Sequence, residues 1–373
     1  MAKSSGMKEV GYLDCAGAGQ VVVRDGIAYV GHMKAPHGTS IVDVRDPKNP
    51  RMLAELPMAA GTHSHKVRVT GDLMVVNQEL NFNDPNKPSP DFKGGVCIYD
   101  ISDLRNPRLI KRWETEGQGV HRFDIDERYV YLSATAEGFL AHIVIIMDLK
   151  DPANPVEVGR WWMPGQWLLG GEKPDWKGTQ HRCHHPLRMG NRLYTSYWLG
   201  GFHILDIEDM SKPKRISGLD WSPPFSCPTH TCLPLPFEIN NRRYMLVADE
   251  DVARPELGEP AFLWMVDITN ERAPMPVGSF QVEGLDGTVQ PLSTACHQPS
   301  EVITGTEIPV AWFAHGVRVI DFSNPRSLRE VAYFVPDAPT GTDRVQSNDV
   351  TVDGRGLIYV TDRRRGLTII ERT

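Results

Sequence analysis

IVDVRDPKNP, residues 41–50, is a short apolar run, an aspartate (Asp43) and a proline seven positions later (Pro50). The phrase returns as IYDISDLRNP (98–107), IMDLKDPANP (146–155), ILDIEDMSKP (204–213) and MVDITNERAP (265–274). A sixth copy, VIDFSNPRSL (319–328), has Leu328 in place of the proline, and GLTIIERT (366–373) is a seventh, cut short, with Glu371 where aspartate stands elsewhere. The first six copies recur every 48 to 61 residues, the length of one four-stranded propeller blade. A carboxylate there accepts hydrogen bonds from turn amides and proline sets φ for the next strand, so these aspartates read as structural.

Composition agrees with an all-β chain. Glycine (33) and proline (29) recur too often for long helices, and the runs between them are rich in Val, Ile and Tyr. Each complete repeat continues into another strand after its proline position, as in PVEVGRWW from Pro155, whereas the last does not. Lys8–Leu13 has the missing pattern. The expectation is one seven-bladed β-propeller domain over residues 1–373, its last blade closed by the N-terminal strand, which leaves no sheet edge open. The repeats resemble the LVIVD-repeat family, in runs such as SIVDV and HILDI. That resemblance implies a propeller and does not specify a chemistry.

The 47 acidic against 40 basic residues give a net charge of −7 without basic runs, which excludes the electrostatic footprint of a nucleic-acid binder. No run approaches the ~18–20 apolar residues of a membrane span, and the N-terminal stretch has no apolar core region. A cytoplasmic protein with no membrane partner is expected. Six cysteines without a CxxC pair point to free thiols.

Aligning the first strand of each repeat places histidine in one column of five consecutive blades: His65, His121, His185, His230 and His297. The other two blades carry Asn348 and Gly19 there. Inner strands of a propeller line its channel, so one register position per blade forms a ring. Recurrence of a titratable residue at that position points to catalysis or metal binding more than to packing. Side chains at i and i+2 share a face, which adds His63 beside His65 and pairs Cys183 with His185 and Cys232 with His230; His184 is expected to turn into the sheet.

The second strand of each blade returns to the same face and ends in polar residues, among them Asn77, Glu79, Asp249, Glu250, His315 and Arg363. Glu79 and Glu250 are candidates for tuning a ligand or acting as base, and Arg122 for holding a substrate carboxylate. Two long interruptions, 81–95 and 164–178, fall on that face. Trp167, Leu168, Leu169 and Trp176 make the second a candidate lid over an aromatic or carboxylated small molecule.

Clustered imidazoles suit a first-row transition ion, Fe, Cu, Mn or Zn, whereas Ca²⁺ and Mg²⁺ take oxygen ligands. In histidine placement the chain is similar to carotenoid cleavage oxygenases, which hold iron with channel histidines, and to the selenium-binding proteins with methanethiol oxidase activity, which use copper. The resemblance implies a metal-dependent oxidoreductase with His65, His121, His185, His230 and His297 as the ligand pool. A metal-dependent hydrolase or lactonase is the next reading, and a non-enzymatic binding scaffold the third.

Overall fold

The computed structural model describes residues 3–15, 17–81, 84–222, 224–254, 258–285 and 291–373. Positions 82 and 83 of the first long interruption lie outside them. The protein is all-β: among the described residues every regular element is a strand, and no helix is long and apolar enough to cross a membrane. The chain divides into two compact units. One comprises Met1–Val30, Val42–Met52 and Trp221–Thr373; the other comprises Gly31–Ile41 and Leu53–Asp220. The stretch containing Ile27–His32, His37–Asp43 and Arg51–Pro57 is divided between them.

The second unit contains three antiparallel meanders. In the first, Thr62–His63 and Val67–Thr70 pair with Leu73–Leu80, followed by Gly94–Asp100 and Arg108–Thr115. The next two run Val120–Ile125, Tyr129–Thr135, His142–Asp148, Val156–Trp161 and then His181–Met189, Arg192–Trp198, Phe202–Asp206, Lys214–Leu219. Their middle strands are buried Val, Ile, Leu and Tyr, and Val75, Val96, Phe123, Leu132 and Ile145 pack in one cluster between meanders. Each such residue contributes roughly 1.5–3 kcal/mol by leaving water.

The first unit repeats the plan with Thr229–Pro234 to Met275–Phe280, Gln298–Pro299 to Arg329–Val335, and Ser347–Val352 to Gly366–Arg372. The last of these is completed by Met7–Asp14, which pairs with Gly366–Arg372 from Met7↔Arg372 to Asp14↔Gly366. The N-terminal strand therefore closes the last meander, as its pattern implied. The repeat aspartates are structural in six copies: Oδ1 of Asp43, Asp100, Asp148, Asp206, Asp267 and Asp321 accepts the backbone N–H two residues on, at 2.8–3.1 Å.

Candidate functional site

The first strand of each meander does not pair evenly, and the histidine column sits where pairing breaks. In the second unit the ladder runs from His63↔Glu79 to Val67↔Val76, leaving His65 and Lys66 in the gap. It slips between Val120 and Phe123 around His121 and Arg122, and again between His181 and His185. Extra residues of this kind re-aim side chains that strict alternation would send elsewhere. Asn77 locks two breaks together: its Oδ1 accepts the Lys66 N–H at 2.8 Å, and its Nδ2 donates to the carbonyls of Val120 and His121 at 2.9 and 3.2 Å. Gly119 allows the close approach, because at φ +109° a Cβ would stand 2.3 Å from the Gln78 carbonyl oxygen.

The result is a histidine cluster around a buried carboxylate. Glu79, with no exposed surface, receives His63 Nε2 at 2.6 Å and His121 Nδ1 at 2.7 Å, both on Oε2. His142 Nε2 stands 3.4 Å from Oε1. The His65 ring lies 4.2 Å from that of His63 and 5.0 Å from that of His121. One ligand atom from each of His63, His65, Glu79 and His121 lies within 4.8 Å of every other. His121 Nε2 in turn meets His184 Nε2 at 2.9 Å. An ionised carboxylate only accepts, so His63 and His121 donate to it; His121 Nε2 is then the acceptor, and His184 donates.

Burial pushes the Glu79 carboxyl up, but His121 and His63 outweigh it and hold it well below the usual carboxylate range. Burial pushes His121 down to about 4 against the pull of Glu79. It also drives His65 and His184 well below the ordinary imidazole value, helped by neighbouring histidines and cations. At neutral pH His65, His121, His142 and His184 are thus neutral beside one ionised carboxylate, the state that ligates a cation. Oε1 of Glu79, Nδ1 of His63 and both nitrogens of His142 are buried without a hydrogen-bond partner. Orphaned donors of this chemistry fit a first-row ion.

In the first unit His230 and His297 gather around Glu250. His297 Nε2 is 3.3 Å and His230 Nε2 3.8 Å from the carboxylate, and the two rings are 4.3 Å apart. Arg363 Nη2 approaches the same carboxylate at 3.8 Å while its Nε donates to Asn348 Oδ1 at 2.6 Å. His297 donates from Nδ1 to the Asn348 carbonyl and stacks on Phe313 at 4.5 Å.

Of the residues singled out in the sequence, His65, His121 and Glu79 come together in one unit, and His230, His297 and Glu250 in the other. His185 lies apart from the Glu79 group, its Nε2 3.5 Å from Arg68 Nη2, and burial with the charges of Arg122, Arg68 and Lys66 holds it well below its usual value. Arg122 is fully buried behind it. His184 does not turn into the sheet; the slip before His185 swings it onto His121. His142, which opens the apolar strand HIVIIMD, carried no signal in the first-strand column. Cys183 and Cys232 are buried free thiols that burial pushes up; Cys15, Cys97, Cys227 and Cys296 are buried free thiols too. Asp249 faces away from imidazoles: its Oδ2 accepts Trp264 Nε1 at 2.6 Å, and burial raises it to about 8.

The stretch 164–178 is folded on itself. Glu172 accepts the N–H groups of Gly165 and Trp167 at 2.8 and 3.0 Å, and Trp167 stacks on Phe139. Trp176 stacks on His181, whose register partner Trp198 packs against His184. Trp167, Leu168 and Leu169 remain exposed.

No protein-family model matches the chain. An uncharacterized protein of Methanocaldococcus jannaschii is 24% identical over 205 residues, 52% of this chain, and the match spans 27% of that protein. Among solved structures, the β-propeller domain of Cps50 (Swd1) from Myceliophteria thermophila aligns over 98% of this chain and all of its own, with TM-score 0.61 and 13% identity. The C-terminal WD40 domain of Sif2 (98% and 98%, TM-score 0.57) and streptogramin B lyase (98% and 97%, TM-score 0.59) each align at 11% identity. The fold is that of the β-propeller class, and at these identities the likeness extends to the fold alone.

Proposed function

We propose that the chain is a metal-dependent enzyme acting on a small organic molecule, an oxidoreductase built on a seven-bladed propeller of the LVIVD-repeat kind. The observation that carries it is the group of His63, His65, Glu79 and His121, four donors from three stretches of chain converging around one negative charge. These residues would hold a first-row transition ion, which supplies redox or Lewis-acid chemistry when bound. Three imidazoles and one carboxylate favour Fe, Cu, Mn or Zn over Ca²⁺ or Mg²⁺. His142 and Asn77 would orient ligands, and His184 would hold His121 in place through the proton on its Nε2.

His184 also supports a second reading, a metal-dependent hydrolase or lactonase, because a neutral buried imidazole 2.9 Å from a ligand candidate is placed to act as a base. Elemental analysis of untagged protein prepared without chelator tests both. Near-stoichiometric iron or copper, with oxygen consumption on a substrate panel, supports the oxidoreductase; zinc or manganese with ester or lactone cleavage supports the hydrolase. Absence of metal, and of uptake on titration, refutes both and leaves a binding scaffold.

A further inference from the structure

A separate cavity lies in the first unit. It holds about 570 Å³, the size of a metabolite pocket, and Arg318, His315, Lys3, Tyr333, Phe280 and Val282 are among the residues that line it. Its walls are fixed before any ligand arrives. Gln281 is pinned, its Nε2 donating to the carbonyls of Pro260 and Ala261 and its Oε1 accepting the Val282 N–H. His315 sits in a tight turn closed by Trp312 N–H to the Gly316 carbonyl at 2.7 Å.

The polar groups are incompletely used. Arg318, only 8% exposed, donates from Nε to the His315 carbonyl and from Nη1 to Glu330, and lies over the Tyr333 ring at 4.9 Å. Among the described residues its Nη2 has no partner. That arm keeps access to the cavity, where a ligand oxygen would replace water. His315 donates from Nδ1 to the Thr294 carbonyl at 3.0 Å, so its neutral ring offers Nε2 as an acceptor. Lys3 adds an exposed ammonium at the rim. Glu283 and Glu330 line the cavity as well, Glu330 held by one arm of Arg318; the other arm of Arg318, Lys3, the acceptor of His315 and the apolar flanks of Phe280 and Val282 are left to meet a ligand.

We propose that this cavity binds a small organic carboxylate that carries a hydrogen-bond donor at its other end, the carboxylate meeting Arg318 and Lys3 and the donor meeting His315. A charge-assisted hydrogen bond to a buried guanidinium gives this orientation its preference. The inference is independent of the metal centre.

Calorimetric titration of the full chain with 4-hydroxybenzoate, 4-hydroxyphenylacetate and benzyl alcohol tests it. The expected result is binding of at least one of the two carboxylates, weak or no binding of the alcohol, and no change after chelator treatment that strips metal. Arg318→Gln should lower affinity about tenfold or more. Arg318 also pairs with Glu330, so Lys3→Ala serves as a second variant at an exposed residue, with severalfold weaker binding and an unchanged melting temperature. Failure of both carboxylates to bind at about 10 mM, equal affinity for the alcohol, full affinity in both variants, or loss of binding on chelation would each overturn the proposal.

Discussion

Glu79 and Glu250 occupy matching places in the two units, yet their surroundings differ in charge. Each closes the second strand of a meander and meets histidine from its own first strand, His63 for Glu79 and His230 for Glu250, and from the next meander, His121 or His297. At Glu79 the contacts are hydrogen bonds of 2.6–2.7 Å to imidazoles, and among the described residues no lysine or arginine is in ion-pair contact with the carboxylate. At Glu250 the imidazoles of His297 and His230 stand at 3.3 and 3.8 Å, and the Arg363 guanidinium approaches at 3.8 Å. One repeat position thus carries a carboxylate ringed by imidazoles in one unit and a carboxylate with an arginine beside its imidazoles in the other.

The sharpest way to break that contrast is to neutralise each carboxylate in turn. Glu79→Gln should lower metal affinity by more than the ~10–100-fold typical of a supporting residue, whereas Glu250→Gln should retain full metal content by elemental analysis. Equal loss in both variants would erase the distinction. The same substitution at Glu79 forfeits two charge-assisted hydrogen bonds, about 3 kcal/mol, and the chemical-denaturation midpoint should fall accordingly.

Acid should act on the metal-stripped protein through the Glu79 unit. His65, His184 and His185 are held well below the ordinary value and His121 at about 4, so below about pH 6.5 the unfolded chain binds protons that the folded one refuses. Stability then falls as pH drops from about 6.5 towards 4, by several kcal/mol in total, and His184→Gln should make the fall shallower. Depression of Glu79 adds to the loss at lower pH. A flat profile between pH 7 and 4.5 would mean that these imidazoles are not buried neutral.

A smaller effect is expected at Gly119. Gly119→Ala places a Cβ 2.3 Å from the Gln78 carbonyl oxygen at a φ that disfavours side chains, at a cost of about 1–3 kcal/mol. Metal affinity should fall with it, while amide-exchange protection around His230 and Glu250 stays unchanged.

The propeller class was legible because its signal is periodic: a repeated aspartate with the same hydrogen bond in six copies, and a terminal strand pattern without a partner. Within the site, the column of His65, His121, His230 and His297 was legible for the same reason, and so were Glu79 and Glu250 as second-strand ends. What alternation could not give is the aim of each side chain. The pairing slips at Val120/Phe123 and His181/His185 reverse faces locally, bringing His184 to His121 and leaving His185 beside Arg68. His142 was missed because it opens a third strand, outside the column that recurrence picked out. That Arg363 approaches Glu250 is a matter of distance, and the repeat pattern carries no distances.

Asp249 tests the charge side of the comparison most finely. It precedes Glu250, and burial among Trp264 and its neighbours raises it to about 8, against hydrogen bonds that pull it down. A carboxyl whose folded value lies above its unfolded value favours the native state while protonated; that advantage erodes as pH rises from about 4, where the unfolded chain ionises, to about 8. Asp249→Asn removes the titration and keeps an oxygen for Trp264. Its stability relative to the parent should be near zero at pH 4 and rise to about 1–2 kcal/mol at pH 8.5, read from denaturation curves at each pH. An unchanging difference across that range would mean that Asp249 is ionised at neutral pH. The first unit would then hold two negative charges against Arg363, a net −1 like that around Glu79, and charge could no longer be the reason that one centre seeks a cation and the other does not.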